Sequence, residues 1–360
     1  MSEVIAQIHG RAGLITLNRP KALNALSLPM LRDITAALLA WRHDDRVEVV
    51  ALRGEGKEGP FGAFCAGGDI RFFHQAALAG DPRLEDFFSE EYALNHLVHV
   101  YPKPLAIFMD GIVMGGGMGL AGHGRARRTL RIATERTKMA MPETNIGLFP
   151  DVGGGYFLSR CPGHIGEYLA LTGHVIGGAD AMAAGLADTV LAAQDLPALW
   201  QQLGADGAAA LAAVPVLTPE PGVLAAQRGD IDRIFGLPTV KAIVDALEAD
   251  GGLWAHETAQ VLRKRSPLML HVVLEQVRRA RAMDLAEELR MERGLVRRCF
   301  SLRPGAASET VEGIRALAVD KDHSPRWNPA RIEDVKAEDW QAFFEPVWPA
   351  AAHPLRDLVG

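Results

Sequence analysis

An α/β fold with a helical C-terminal region is the architecture this sequence predicts, on three observations. Short apolar runs of strand length recur in the first half, at residues 5–17, 47–52, 104–109 and 130–134. Two of them run into glycine-rich loops, the arrangement expected when a ligand sits at strand ends. From about Leu196 the pattern changes to Ala-rich, Pro-punctuated helical periodicity. A core over residues 1–195 that carries the site, and a helical region over residues 196–360 that completes the fold, are expected.

Taken in order, residues 5–17 alternate as a hairpin around residues 10–13, and Asn18 to Pro20 stop it. Ser27 can cap a helix reaching Trp41, because Leu31, Ile34, Leu38 and Trp41 recur on one face. The strand at 47–52 leads into a glycine-rich loop over 54–68, and a helix begins at Asp69. A polar helical stretch near 85–100 precedes the strand at 104–109, which ends in Gly115, Gly116, Gly117 and Gly119. Further strand and turn signals lie at 130–134 and 139–141. Ser266 and Pro267 form an N-cap and first-turn pair that opens a long amphipathic segment to Phe300, while the Ala-rich stretch 205–213 reads as a poorly ordered loop.

Composition excludes several classes. With 48% hydrophobic and 23% charged residues, the chain is neither disordered nor fibrous. Its net charge of −6 gives no general attraction to nucleic acid or anionic lipid, so an anionic ligand must be held locally. Cys65, Cys161 and Cys299 are odd in number and lack CxxC spacing, which fits a reducing compartment. No signal peptide or membrane-spanning stretch is legible, and Glu3 argues against a transit peptide, so the cytoplasm is the expected location.

Chemistry concentrates in three segments. Phe64-Cys65-Ala66-Gly67-Gly68-Asp69 and Met114-Gly115-Gly116-Gly117-Met118-Gly119 each let a substrate approach the backbone, and N–H groups opening a helix favour negative charge. If both aim at one carbonyl they form an oxyanion hole, each donor stabilising the developing alkoxide by roughly 3 kcal/mol. The plain alternative is two tight turns with no ligand. The third segment, residues 141–155, places Glu143 and Asp151 in an otherwise uncharged, glycine-rich stretch, a candidate acid/base pair or a pair of turn acceptors.

Other features are read down. Gly117 to Gly122 satisfies GxGxxG with Glu135 downstream, but the motif is short and no second mononucleotide half is legible, so no dinucleotide site is expected. His96, His99 and His123 lack an evident acidic second shell, so no metal site is expected. Cys65, inside an apolar turn, reads as a small buried residue rather than a nucleophile.

Taken together, the segments resemble the enoyl-CoA hydratase/isomerase (crotonase) superfamily, from Leu17-Asn18-Arg19-Pro20-Lys21-Ala22-Leu23-Asn24-Ala25-Leu26 through both glycine loops and over nearly the whole chain. Within it the chain resembles the 3-hydroxyisobutyryl-CoA hydrolases through Glu90-Glu91-Tyr92 and the runs from Met114 to His123 and from Met141 to Tyr156. The C-terminal part agrees at Ser266-Pro267, Leu289-Arg290-Met291-Glu292, Glu312-Gly313-Ile314-Arg315-Ala316, Asp320-Lys321-Asp322 and Trp327.

The resemblance implies a crotonase-like (ClpP/crotonase) fold of spiralling ββα units. It implies an acyl-CoA substrate, no cofactor beyond the CoA of that substrate, and no nucleic-acid or membrane partner, with homo-oligomers common in the superfamily. It assigns the oxyanion donors to the N–H groups of Gly68 and Gly116, catalysis to Glu143 and Asp151, and the acyl pocket to Glu91, Gly116, Glu143 and Asp151. Ala66, Gly68, Asp69 and Ile70 would lie along CoA. Hydratases of this superfamily use two glutamates, and here the first falls at Gly119, so hydrolysis of a short 3-hydroxyacyl-CoA such as 3-hydroxyisobutyryl-CoA, a step of valine degradation, is expected. The alternatives are a hydratase or isomerase acting through Glu143 alone and an acyl-CoA-binding protein without turnover.

The chain departs from the pattern twice. Arg125, Arg127, Arg128 and Arg131 crowd a longer stretch before Glu143, and Glu309-Thr310 replaces the usual Asp-Phe before Glu312, which puts local register and C-terminal packing in question. The basic runs Arg263-Lys264-Arg265, Arg278-Arg279-Arg281 and Arg297-Arg298 read as solvated helix faces, with CoA phosphates or a neighbouring subunit as the alternative contacts.

Overall fold

The computed structural model describes residues 2–122, 129–215 and 222–359. It divides into two compact units, each assembled from separate segments: residues 1–68, 93–140 and 175–226 form the first, and residues 69–92, 141–174 and 227–360 the second.

All the strands of the described residues belong to the first unit. Strands β1 (Val4–His9) and β2 (Ala12–Leu17) pair antiparallel as the expected hairpin. Strand β2 then pairs in parallel with β3 (Val49–Gly56), to which the short β4 (Gly59–Pro60) adds antiparallel. The sheet continues in parallel through β5 (Leu105–Met109) and, beyond the short β6 (Ile112–Met114), through β7 (Thr129–Thr134). Strand β8 (Lys138–Ala140) pairs with β6, and β9 (Thr189–Leu191) closes the order β1-β2-β3-β5-β7-β9.

Every residue of β2 and β5 is buried, as strands covered on both faces must be. The helix Leu196–Asp206 lays Leu196, Leu199, Trp200 and Leu203 into one sheet-core cluster with Ala51, Phe61 and Phe108. Trp200 and Phe108 meet edge-on at 5.3 Å between ring centroids. The helix Leu28–Trp41 has the expected Ser27 cap, which accepts from the Met30 N–H at 3.3 Å. Gly13 is required beneath it, because a Cβ there would run into the Trp41 ring.

Two expectations need correction. The Ala-rich stretch 205–213 is helical, ending the helix Leu196–Asp206 and forming Ala208–Ala212, with Gly207 at φ +59° making the joint. Alanine has the highest helix propensity, and that outweighs low complexity here. The long segment to Phe300 is two helices, Pro267–Ala280 and Leu285–Ser301, the second restarted by a capping box between Asp284 and Glu287. Ser266 and Pro267 open the first of them as expected, Ser266 accepting from the Met269 N–H at 3.3 Å.

The second unit contains helices and turns. Phe73, Phe87, Phe88 and Tyr92 form an aromatic cluster, with Phe73 and Phe87 at 4.8 Å and Phe88 and Tyr92 at 6.1 Å between centroids. Buried Arg293 donates to Ser89 at 2.9 Å and pairs with Glu85, tying the helix Leu285–Ser301 to the first part of the helix Arg83–His99. That tie and the aromatic cluster fix the turn bearing Glu91 and Tyr92.

The departures noted in the sequence have local explanations. The Glu309 carboxylate reaches Ser266 and the Asn328 N–H, and Thr310 Oγ1 donates to the Gly147 carbonyl at 2.7 Å, so this pair of residues clasps the C-terminal helices to the turn after Glu143. Arg131 is buried in a bidentate pair with Asp188 at 2.9 and 3.1 Å. Arg125, Arg127, Arg128 and His123 lie outside the described residues. The basic runs are more engaged than simple solvated faces: Arg263 bridges Glu248 and Glu333, Arg279 pairs with Glu275, Arg281 with Glu167 and Arg297 with Glu85.

Candidate active site

In the first unit the motif around Asn24 builds the first glycine loop. Asn24 is fully buried with φ +56°, and its Nδ2 donates to the carbonyls of Glu55, Ala63 and Phe64 at 3.0 to 3.1 Å. Its Oδ1 accepts from the Arg19 N–H at 2.8 Å. One side chain thus closes a turn and pins both ends of the loop, which no apolar residue does.

The second loop is bound to the first. The Met114 N–H donates to the Cys65 carbonyl at 2.9 Å, and the Leu26 N–H donates to the Gly67 carbonyl at 2.8 Å. Gly67 has φ +102°, and a Cβ there would sit 3.3 Å from the Met114 carbonyl oxygen and 3.6 Å from the Gly116 nitrogen, so the loops approach backbone to backbone. Gly116 is the first residue of the helix Gly116–Ala121, where an N–H has no intrahelical acceptor. Neither the Gly68 nor the Gly116 N–H has an acceptor among the described residues. Ala66 belongs to the same loop, its N–H held by the Leu23 carbonyl at 3.0 Å. Cys65 is buried with Sγ 3.3 Å from the Asn24 carbonyl oxygen, as a packing residue would be.

The acidic residues gather in the second unit. Glu91, Glu143 and Asp151 are only 2%, 6% and 6% exposed. Burial pushes all three carboxyls up, Asp151 to about 7 and the other two well above the usual carboxylate range. The three share one neighbourhood, since the charge of Asp151 raises both Glu91 and Glu143 and that of Glu143 raises Glu91. Tyr92 donates its hydroxyl to Asp151 Oδ2 at 3.0 Å and draws that carboxyl back toward ionisation. Glu91 Oε1 and Glu143 Oε2 have no hydrogen-bond partner, so buried acceptors stand ready for a ligand.

The backbone around them is locally determined. Glu143 opens the turn Glu143–Ile146, which ends at Gly147 with φ +64°, a position where a Cβ would run into the Glu309 carbonyl. Asp151 is followed by Val152 at φ +57° and Gly153 at φ +84°. A β-branched residue in the left-handed region costs about 1 to 3 kcal/mol and persists only where its surroundings enforce it. Asp69 caps the helix Ile70–Ala79, accepting from the Phe72 N–H at 3.3 Å, so Asp69 and Ile70 lie at a helix start.

Gly68, Gly116 and Ala66 thus come together in one unit, and Glu91, Glu143 and Asp151 in the other. Sequence reasoning missed Tyr92 as a partner of Asp151, and it missed Glu288, Glu292 and Gln276. The last three are fully buried on the two helices after Ser266. A signal existed: Glu288 and Glu292 fall in the same helical stripe as Leu285, Leu289 and Val296, where solvated charges do not belong. Glu135 of the dinucleotide-like motif accepts from the Ala193 N–H at 3.0 Å. Among the described residues no group of three or more His, Cys, Asp or Glu is placed to hold a metal, and no helix is long and apolar enough to cross a membrane.

The fold and its two glycine loops define the class. The chain belongs to the enoyl-CoA hydratase/isomerase family, whose model matches residues 12–344. Among its relatives is the mitochondrial 3-hydroxyisobutyryl-CoA hydrolase of Danio rerio, 40% identical over 94% of this chain and 88% of the relative. The 3-hydroxyisobutyryl-CoA hydrolase 1 of Arabidopsis thaliana is 40% identical over 96% of this chain and 92% of the relative. The crotonase-like fold is shared with a crystal structure described as an enoyl-CoA hydratase from Rhodobacter sphaeroides 2.4.1, at TM-score 0.87 and 39% identity over 96% of this chain and 98% of the other. A second, described as a carnitinyl-CoA dehydratase from Mycobacterium thermoresistibile, gives TM-score 0.87 and 41% identity over 97% and 98%.

Proposed function

We propose that this protein hydrolyses a short 3-hydroxyacyl-CoA thioester, 3-hydroxyisobutyryl-CoA foremost, as a step of valine degradation. The observation that carries the reading is the buried set Glu91, Glu143 and Asp151 in a chain whose Gly119, inside the helix Gly116–Ala121, has no side chain to serve as a second hydratase glutamate. The names of the hydrolase relatives point the same way.

In this mechanism the Gly68 and Gly116 N–H groups stabilise charge on the thioester oxygen. Glu143 attacks the carbonyl carbon, the C–S bond breaks, and the CoA thiolate, a good leaving group, takes a proton from Asp151. Water then adds to the mixed anhydride with ionised Asp151 as its base, returning the proton to Asp151, and the acid leaves as Glu143 is restored. Glu91 holds the substrate hydroxyl. In the alternative version Glu143 is a general base acting on water. Single-turnover hydrolysis in heavy-oxygen water separates them, because label entering the Glu143 carboxylate requires the anhydride. CoA enters as part of the substrate and no further cofactor takes part. We propose the cytoplasm as its location, with which three buried free cysteines, as in a reducing compartment, are in keeping.

A thiol-release assay across short acyl-CoA esters tests the function. Free thiol from 3-hydroxyisobutyryl-CoA or 3-hydroxypropionyl-CoA is the expected result. Those two substrates differ by a methyl, worth only about 1 to 3 kcal/mol of discrimination. The second reading, hydration of an unsaturated acyl-CoA, is favoured by the description of the Rhodobacter sphaeroides neighbour, and it predicts an absorbance change without thiol.

A pH dependence follows from Tyr92. Its hydroxyl stabilises ionised Asp151, so Tyr92→Phe raises the Asp151 pKa and, because Asp151 must carry the proton it gives to the thiolate, moves the alkaline limb of kcat/KM upward. Loss of a hydrogen bond to a charged group corresponds to a shift of about 1 to 2 pH units. A limb that stays in place or moves to lower pH contradicts this role.

A further inference from the structure

Behind the Asp151 turn lies a pair of carboxyls that the mechanism above leaves unused. Glu288 and Glu292 stand one turn apart on the helix Leu285–Ser301 and are both completely buried. Glu292 Oε2 accepts from the Gly153 N–H at 2.8 Å, and its Oε1 accepts from the Gly155 N–H at 3.2 Å and from Gln276 Nε2 at 2.9 Å. Gln276 Nε2 also reaches the Pro150 carbonyl at 2.7 Å. The grip therefore brackets Asp151 on both sides, at Pro150 and at Gly153.

Glu288 neighbours Glu292, its charge pushes the Glu292 carboxyl further up, and both of its own oxygens are buried without a hydrogen-bond partner. Arg160 is the cation whose charge reaches Glu288, but its guanidinium is committed to the Ala280 and Met283 carbonyls. Gly155 is the point of closest approach, since a Cβ there would collide with Glu288 Oε1. A buried acid pair is costly, and hydrophobic residues fill such space at lower cost, so its presence calls for a reason other than stability.

The reason is visible in the backbone it holds. We propose that Glu292, backed by Glu288, is a positioning residue: its two main-chain hydrogen bonds enforce the left-handed Val152 and so aim the Asp151 carboxyl. Asp151 is as much a product of residue 292 as of its own turn. This inference rests on the hydrolase reading for its kinetic readout and on the geometry alone for its structural one.

The test uses the full-length chain with Glu292→Gln, Glu292→Asp and Glu288→Gln. Thiol release from 3-hydroxyisobutyryl-CoA gives kcat and KM separately, and hydrogen exchange reports the amides of residues 151–155. Glu292→Asp, one methylene short of its donors, is expected to lower kcat by about 100-fold with KM within about 3-fold, the signature of a misaimed group rather than lost binding. Glu292→Gln keeps one acceptor and recovers part of that loss. Glu288→Gln, which sets a neutral donor beside Glu292, lowers kcat by only about 5-fold. Amide protection over residues 151–155 falls in the order Glu288→Gln, Glu292→Gln, Glu292→Asp.

Wild-type kcat in both Glu292 variants, or unchanged protection of these amides, overturns the proposal. Should the Glu292 variants fail to fold, Gly155→Ala displaces the pair by its Cβ, and it must reproduce the kcat loss and the exchange change or the proposal fails. If the parent protein releases no thiol from any ester, the hydrolase reading fails by itself, and hydrogen exchange still decides whether Glu292 holds the turn.

Discussion

Glu143→Gln is expected to lower thiol release from 3-hydroxyisobutyryl-CoA by about 1000-fold while CoA affinity stays within a few-fold of the parent. The substitution keeps the size and one acceptor of the side chain but removes both the nucleophilic oxygen and the basic one. Glu143 is 6% exposed, and its Oε2 has no partner, so the amide enters without a competing hydrogen bond to break. It also removes a group whose charged form is disfavoured by burial and by Asp151, so the variant should be no less stable than the parent. A folded Glu143→Gln protein with near-parental kcat would remove Glu143 from catalysis, whichever role it is given.

The second large effect is expected at Gly116. Proline at this position deletes the N–H donor outright, and loss of one oxyanion donor costs about 100- to 1000-fold in kcat. The site allows a clean test because Gly116 is the first residue of its helix, where proline is tolerated and no ladder hydrogen bond is lost. Gly115 before it, at φ +48°, supplies the turn and stays unchanged. The expected result is a folded protein by circular dichroism with KM little altered and turnover suppressed. Parental turnover in that protein would discredit the oxyanion assignment.

What could be read from the sequence was what is encoded locally. The hairpin, the Ser27 and Ser266 caps and the helix start at Asp69 are each set by residues within a few positions of one another. Glu143 and Asp151 stood out for the same reason, as charges in a stretch with little else to solvate them. The strands at 47–52, 104–109 and 130–134 also followed from short apolar runs, but the order in which they pair did not. Tyr92 did not stand out as a partner of Asp151, and Glu288 and Glu292 showed only through the apolar stripe they share, because the turn these residues contact lies more than fifty positions away. The Ala-rich stretch was misjudged because composition alone says nothing about the sheet core that Ala210 and Leu211 pack against. The interleaving of the two units has the same origin, since each is stitched from segments that carry no local mark of where they will go.

The bond from the Gly153 N–H to Glu292 spans 139 residues of chain. At a synthesis rate of about 5 to 20 residues per second, that segment leaves the ribosome roughly 7 to 28 s before its anchor is made. Through that interval the Asp151 turn has nothing to hold its backbone in an unfavourable shape, and its acids remain in water with ordinary proton affinities. On the proposed mechanism, chemical competence therefore arrives late, with the last third of the polypeptide, and a chain cut short before that point would have the glycine loops but not the anchor of the Asp151 turn.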